Sequence, residues 1–244
     1  SAKGALRTGI GLAKCALPRS IYPIVAQTIL ESVYYPLSEN ADGRISKVNV
    51  PFLVSESCKS SATLVGCGLG DTLKIVFSLI ENSTTPLVLD ADALNCVAKQ
   101  PEILLRKKAP IIITPHPGEM SRLTGLATPL VNAERERVAL DFAQKYGVVT
   151  VLKGAGTVIA SPNGKVLVNQ TGNSGMATGG SGDVLAGMTA SILAQGASAF
   201  SSAAAAAYLH GLAGDIAAEK YGKISMLPTD LINCIPLAYK RCGF

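Results

Sequence analysis

The chain contains no tryptophan and only two histidines among its 244 residues, and aromatic residues make up 5% of it. With so little on which bases could stack, and a longest basic cluster of only Arg106, Lys107 and Lys108, a nucleic-acid-binding surface is excluded. None of the six cysteines (Cys15, Cys58, Cys67, Cys96, Cys234 and Cys242) falls in a C-x-x-C pair, which argues against a structural zinc site. A chain of this size needs no disulfide staples, so reduced thiols in a cytoplasmic protein are expected. Charged residues are also scarce, at 16%. Residues 184–214 carry no Asp, Glu, Lys or Arg, yet Gly187, Gly196, Gly211, Gln195 and many serines and alanines dilute the apolar density that a membrane span requires. They read as two close-packed buried helices. Two familiar phosphate loops are missing as well: no segment fits G-x-x-x-x-G-K-[ST], and Gly66-Cys-Gly-Leu-Gly-Asp71 does not fit G-x-G-x-x-G.

What is present is hydrophobic content of 48%, 24 Gly and 13 Pro, the profile of a folded globular chain. Apolar runs at 61–65, 86–89, 109–113 and 148–152 lack strict alternation, as expected of strands covered on both faces. Each leads into a polar or glycine-rich corner, and helical patterns occupy 72–81, 93–98, 101–107 and 131–146. Strand, corner and helix repeating in this way predict right-handed βαβ crossovers and a mostly parallel sheet. Asn163-Gly164 between 157–160 and 165–169 then predicts an antiparallel hairpin at one side. Helices are expected at 182–195, 197–220 and 228–241. No linker or repeat divides residues 1–244, so the expectation is a single three-layer α/β/α domain. In such sheets ligands gather beyond the carboxyl ends of the strands, so the corners should converge on one site.

The strongest local signal is Thr171-Gly-Asn-Ser-Gly-Met-Ala-Thr-Gly-Gly-Ser-Gly-Asp183, running into an apolar helix. Gly179, Gly180 and Gly182 allow close backbone approach to a ligand, and a helix N-terminus favours an anion such as phosphate. Asp183, in the first turn, is placed to act as general base toward an attacking hydroxyl; the bland alternative is a glycine turn whose Asp complements the helix dipole. His116-Pro-Gly-Glu119 offers an imidazole for a polar ring or amide and a carboxylate for Mg²⁺, directly or through water, against the alternative of a rigid loop with a capping Glu. Lys153 ends a strand and suits a phosphate, as it would suit solvent. Asp90 could orient a hydroxyl or a metal-bound water, whereas Asp92 is equally explained as a helix N-cap. His210, in the Ala-rich helix, reads as a satisfied buried residue. Asn82-Ser-Thr84 fits a glycosylation acceptor, which means little without secretion. The net charge of +5 suits small phosphorylated ligands but requires no partner.

Taken together, Thr-Pro-His-Pro-Gly-Glu, Leu-Lys-Gly-x-x-Thr-Val-Ile and Gly-Asn-x-Gly-Met-Ala-x-Gly-Gly-Ser-Gly-Asp, in this order, resemble the ADP-dependent NAD(P)H-hydrate dehydratase family, a branch of the ribokinase-like fold. The resemblance covers residue 5 to the C-terminus and includes the Gly-x-Gly-Leu-Gly corner at 66–70, with Cys67 where Pro is usual. Family members normally begin with a strand and a Gly-Ser-rich loop, whereas residues 1–12 already look like the first helix running into the second strand, so an N-terminal strand is expected to be missing from this chain.

The resemblance implies repair of hydrated NADH or NADPH: the C6 hydroxyl is phosphorylated, with ADP the expected donor giving AMP and ATP the other possibility, and phosphate is then lost. It implies Asp183 as the base. It also implies nucleotide binding by Lys153, Gly154, Ala155, Gly156, Thr157, Asn173, Gly175, Met176, Gly179, Gly180, Ser181 and Gly182. Substrate binding is implied for Gly68, Gly70, His116, Glu119 and Arg122 together with Asp183, and Mg²⁺ for the donor phosphates, with Glu119 in its outer shell. A homo-oligomer, with a tetramer as one form, is expected, and no nucleic acid or membrane partner. Two other readings use the same anion loop: a ribokinase-like kinase acting on a vitamin precursor or sugar, and a nucleotide-sensing protein without catalysis.

Overall fold

The short β-branched runs form the strands they predict, and successive side chains turn to opposite faces of the sheet. A computed structural model describes all residues, Ser1–Phe244. Along the chain lie α1 (Ala2–Arg7), β1 (Ala13–Pro18), α2 (Tyr22–Ala26), β2 (Ser32–Leu37), α3 (Val50–Cys58), β3 (Thr63–Val65), α4 (Leu73–Asn82), β4 (Leu87–Leu89), α5 (Asp92–Val97), β5 (Ile111–Ile113), α6 (Pro117–Thr124), α7 (Thr128–Ala133) and α8 (Arg135–Tyr146). They are followed by β6 (Val149–Leu152), β7 (Val158–Ala160), β8 (Val166–Val168), α9 (Ser181–Ala194), α10 (Ala199–Tyr221) and α11 (Pro228–Arg241).

Strands β3 to β8 form one six-stranded sheet in sequence order; β3 to β6 are parallel, and β7 and β8 add the antiparallel hairpin. Leu87, Leu89, Ile111 and Ile113 pack toward α4, α5, α6 and α8, while Val88, Ile112, Val151 and Ile159 pack toward α9, α10 and α11. These are the two outer layers. Helices α9 and α10 are buried among other helices and the sheet, which explains why 184–214 carries no charge. Gly211 and Gly214 of α10 leave room for the 171–176 loop: a methyl on Gly211 would lie 2.2 Å from Thr171 Oγ1, and one on Gly214 would lie 2.3 Å from the Met176 sulfur.

Strands β1 and β2 pair in parallel as a separate two-stranded sheet. Between β1 and β3 runs a largely apolar cleft of about 700 Å³. Consecutive residues of both strands line it, Ala13 to Leu17 on one side and Thr63 to Val65 on the other, so it abuts their edges rather than their faces. Helix α9 contributes Ala190 and Ala194, and α3 contributes Phe52 and Leu53.

Two predicted elements differ from expectation. The helix expected over 131–146 is two helices, broken at Glu134 (φ −124°, ψ 43°), because Pro129 starts a helix one turn earlier and Arg135 turns toward the sheet. Pro101–Arg106 is a 3₁₀ helix. No helix is long and apolar enough to cross a membrane.

Candidate active site

The carboxyl ends of β3, β4, β5 and β6 meet at one edge of the sheet, and the corners that follow them touch. Gly66 after β3 has φ +127°, and a methyl there would lie 1.8 Å from the Asp90 carbonyl oxygen, so only glycine lets these two corners close. After β4, Ala91 is the one non-glycine residue with positive φ (φ 48°, ψ −118°), a conformation that costs about 1–3 kcal/mol. Asp92 does not cap α5 as one sequence reading allowed. It is the first residue of that helix, and its Oδ2 accepts from the Gly70 N–H at 2.7 Å, tying the first corner to the second.

Asp90 is 1% exposed. Its Oδ1 accepts from Thr114 Oγ1 at 2.8 Å and from Lys153 Nζ at 2.6 Å. The Lys153 ammonium also lies 3.7 Å from Glu119 Oε2, and its backbone N–H donates to the Pro115 carbonyl at 2.8 Å. Three sequence-distant corners, those after β4, β5 and β6, are thereby joined through one cation. Charge-assisted bonds of this kind are the strong ones, and burial keeps solvent from screening them.

His116 and Glu119 form a capping box at the start of α6. His116 Nδ1 accepts from the N–H groups of Gly118 and Glu119, at 3.0 and 3.3 Å, and Glu119 Oε2 accepts from the His116 N–H at 2.8 Å. With Nδ1 an acceptor, the ring proton sits on Nε2, which lies 3.5 Å from Glu119 Oε1. The capping alternative considered for this motif is what the geometry contains: Glu119 is buried and engaged, while the imidazole is half exposed.

Asp183 occupies the first turn of α9, after Gly180 in the left-handed conformation (φ 97°). The first N–H groups of a helix have no intrahelical acceptor, and those of Gly182 and Asp183 are in this position. Above Gly179 there is open space, and a methyl on Gly182 would lie 3.4 Å from Lys153 Nζ. The ammonium therefore stands over the N-terminus of α9, and together they make a cradle for an anion. One oxygen each of Asp183 and Asp90 and the Cys67 sulfur lie within 4.8 Å of one another. Burial first, then these two carboxylates, push the Cys67 thiol up to about 12, so it stays protonated and its S–H faces Asp90 Oδ2 at 3.8 Å.

The remaining predicted residues divide into two groups. Gly154, Ala155 and Gly156 form an exposed loop closed by Thr157, whose hydroxyl donates to the Gly154 carbonyl at 3.0 Å. Gly68 is exposed with nothing above it. By contrast, Asn173, Gly175 and Met176 face inward: Asn173 Nδ2 donates to the Gly214 carbonyl and to Asp215 Oδ1, a methyl on Gly175 would meet the Lys223 carbonyl oxygen at 2.4 Å, and the Met176 sulfur packs on Gly214. Asn173 and Met176 seat the loop on α10, and Gly175 seats it on the segment that follows α10. Ser181 is buried and its carbonyl accepts from His210 Nε2 at 3.0 Å. Arg122 is exposed and held by Asn95 Oδ1 at 2.9 Å.

Sequence reasoning missed two arginines and a threonine. Arg135 donates to the Leu152 carbonyl at 2.8 Å and lies beneath Gly154, bracing the 154–156 loop, and burial lowers its pKa. Arg44 covers Gly70, whose added methyl would lie 2.7 Å from its Nε. Thr114 supports Asp90. Thr114 belongs to a recognisable corner and could have been found there; the arginines reach the site from other elements and leave no local signature.

A three-layer sheet whose corners carry a glycine anion loop, a strand-end lysine and an aspartate at a helix N-terminus defines the ribokinase-like class of nucleotide-site proteins. Within that class, residues 1–237 match the model of the family described as NAD(P)H-hydrate dehydratase, and the chain belongs to this family. It is 40% identical over 241 residues to the bifunctional NAD(P)H-hydrate repair enzyme Nnr of Thermofilum pendens, covering 98% of this chain and 46% of that protein. The ADP-dependent (S)-NAD(P)H-hydrate dehydratase of Neisseria meningitidis is 44% identical over 168 residues, covering 66% of this chain and 57% of that one. The crystal structure of the ADP/ATP-dependent NAD(P)H-hydrate dehydratase of Bacillus subtilis, co-crystallized with ATP/Mg²⁺, superposes with a TM-score of 0.81 at 29% identity, covering 98% of this chain and 82% of that one. The chain spans about half the length of the bifunctional relatives it matches, 46% for the Thermofilum pendens protein.

Proposed function

We propose that this chain restores NADH or NADPH from the hydrated cofactor, using ADP or ATP as phosphoryl donor. The observation that carries this reading is the anion cradle with its adjoining base: free N–H groups at the start of α9, the Lys153 ammonium above Gly182, and the Asp183 carboxylate beside them. Family membership supports the choice of substrate, and the relatives' names support ADP or ATP.

In this reading Asp183 removes the proton from the C6 hydroxyl, and that oxygen attacks the terminal phosphorus of the donor. The bond to the bridging oxygen breaks, and AMP leaves if the donor is ADP. The N–H groups of Gly179, Gly180 and Gly182, together with Lys153, stabilise the negative charge on the transferred group. The C6–O bond then breaks as the ring nitrogen lone pair forms an iminium; phosphate carries the bonding electrons away, and loss of the C5 proton restores the dihydronicotinamide.

The 154–157 loop with Gly179 and Gly180 would hold the nucleotide, while Gly68, Gly70 and the exposed edge of His116 would face the dinucleotide. Asn173, Gly175 and Met176 would act by fixing the loop, and Arg122 would stand at the rim. The site fits Mg²⁺ carried on the donor phosphates, because the carboxylates of Asp90, Glu119 and Asp183 supply hard oxygen acceptors around the cradle. Glu119, with both oxygens engaged, suits contact through water. Mg²⁺ there would neutralise charge on the phosphates.

A reducing cytoplasm suits the six free thiols. Assembly into a homo-oligomer belongs to the same proposal.

Asp183→Asn tests the assignment of the base. Turnover of hydrated NADH should fall by about 10²–10⁴-fold, while calorimetric titration with ADP still shows binding. Full activity in the variant would remove Asp183 from the mechanism.

A further inference from the structure

Asp90 takes no part in the proton and phosphoryl transfers described above, yet its side chain and backbone are both closely held. It is 1% exposed, its carbonyl oxygen fills the space that Gly66 leaves, its backbone N–H donates to the Val65 carbonyl at 3.1 Å, and Thr114 donates to its Oδ1. The next residue, Ala91, adopts φ 48° and ψ −118°, a conformation suited to glycine. Stability does not account for this investment, because a buried carboxylate–ammonium pair is no better for folding than well-packed apolar groups. Strain and buried charge together are found where a side chain must be aimed.

We infer that Asp90 is a positioning residue for Lys153: it holds the ammonium over the N-terminus of α9, where the transferred phosphoryl group would lie. The geometry shows why one carboxylate is needed for this. Lys153 has a second acceptor in Glu119 Oε2, but at 3.7 Å against 2.6 Å for Asp90 Oδ1, so without Asp90 the ammonium keeps only the longer, looser contact and is no longer fixed over Gly182. The catalytic part of this inference rests on the proposed dehydratase reaction; the pairing itself rests on the geometry alone. Removing the Asp90 charge does not weaken attraction for an anionic nucleotide, since it leaves the cradle more positive. The effect falls on turnover, where misplacement of a charged group by an ångström or so matters most.

The test uses Asp90→Asn, which keeps the acceptor for Thr114 and removes the charge. Acetylation of each lysine in the intact protein by acetic anhydride is followed by mass spectrometry, and the Lys153 amine, released from its carboxylate, should react about tenfold faster, while the other lysines are unchanged. The turnover number should fall about 100-fold with the ADP dissociation constant shifted less than about threefold. In a Lys153→Met background, Asp90→Asn should cost nothing further, as for residues acting as a unit. A second variant guards against misfolding: Ala91→Gly relieves the strained corner and loosens Asp90, so melting should not fall, yet Lys153 should acetylate faster and turnover should drop about threefold. Unchanged Lys153 reactivity in both variants, or equal losses with and without Lys153, would overturn the inference. If the unaltered protein failed to act on hydrated NADH, the proposed function would fall, and the acetylation rates would still decide whether Asp90 holds Lys153.

Discussion

His210 shows how burial fixes a charge state next to the site. It is 8% exposed, its Nε2 lies 3.0 Å from the Ser181 carbonyl, and burial pulls its pKa down to about 4 from 6.5, with Lys153 adding to the effect and the Ser181 bond opposing it. The neutral ring donates from Nε2 and so anchors the first residue of α9. Because the folded pKa is depressed, the unfolded chain binds the extra proton first as pH falls. The stability contribution is intact above about pH 6.5 and is lost on descent to about pH 4, amounting to about 3 kcal/mol. His210→Gln keeps an N–H donor but cannot take up a proton, so urea denaturation of this variant at neutral pH and at pH 4 should lack that part of the decline; an identical decline in both proteins would contradict the assignment. The sequence reading of His210 as a satisfied buried residue agrees with this geometry. At the same scale Arg44 and Arg135 were illegible, because each is defined by a glycine it covers on another element.

Among the elements, the corners between strand and helix carry most of the information. Each glycine there reports a backbone constraint, and several were readable as such: Gly164 turns the hairpin with φ 90°, and Gly180 starts α9. Gly66 is the most demanding, since a methyl there would lie 1.8 Å from the Asp90 carbonyl oxygen and its φ is +127°. Gly66→Ala should therefore cost about 3 kcal/mol or more in a denaturant titration, and acetylation of Lys153 should rise as the Asp90 corner shifts; a stable variant with a normal Lys153 would show that the two corners are not coupled. The break at Glu134 was hidden from periodicity for a definite reason. Val131 and Val138 are both buried and stand two turns apart, so a single continuous helix satisfies the pattern as well as two do.

For the molecule as a whole, runs such as 86–89 and 109–113 announced a sheet covered on both faces, and the six-stranded sheet with its hairpin agrees. Strands β1 and β2 were harder to read, because Pro18, Pro36 and the exposed Lys14 and Val33 blur both alternation and burial. Their separation by the apolar cleft predicts uneven protection. Amide hydrogen exchange should be slowest in β4 and β5, whose residues are all buried, and faster in β1 and β2. Equal protection across both sheets would mean that they open as one unit. The net charge of +5, permissive when read alone, acquires a use if two anionic nucleotides enter one site. The central claim is tested most directly by giving the purified protein hydrated NADH with Mg²⁺ and either ADP or ATP. The account predicts that reduced-nicotinamide absorbance returns only when a nucleotide is present, with one phosphate released for each NADH restored. No return with either donor, or return that does not depend on nucleotide, would contradict it.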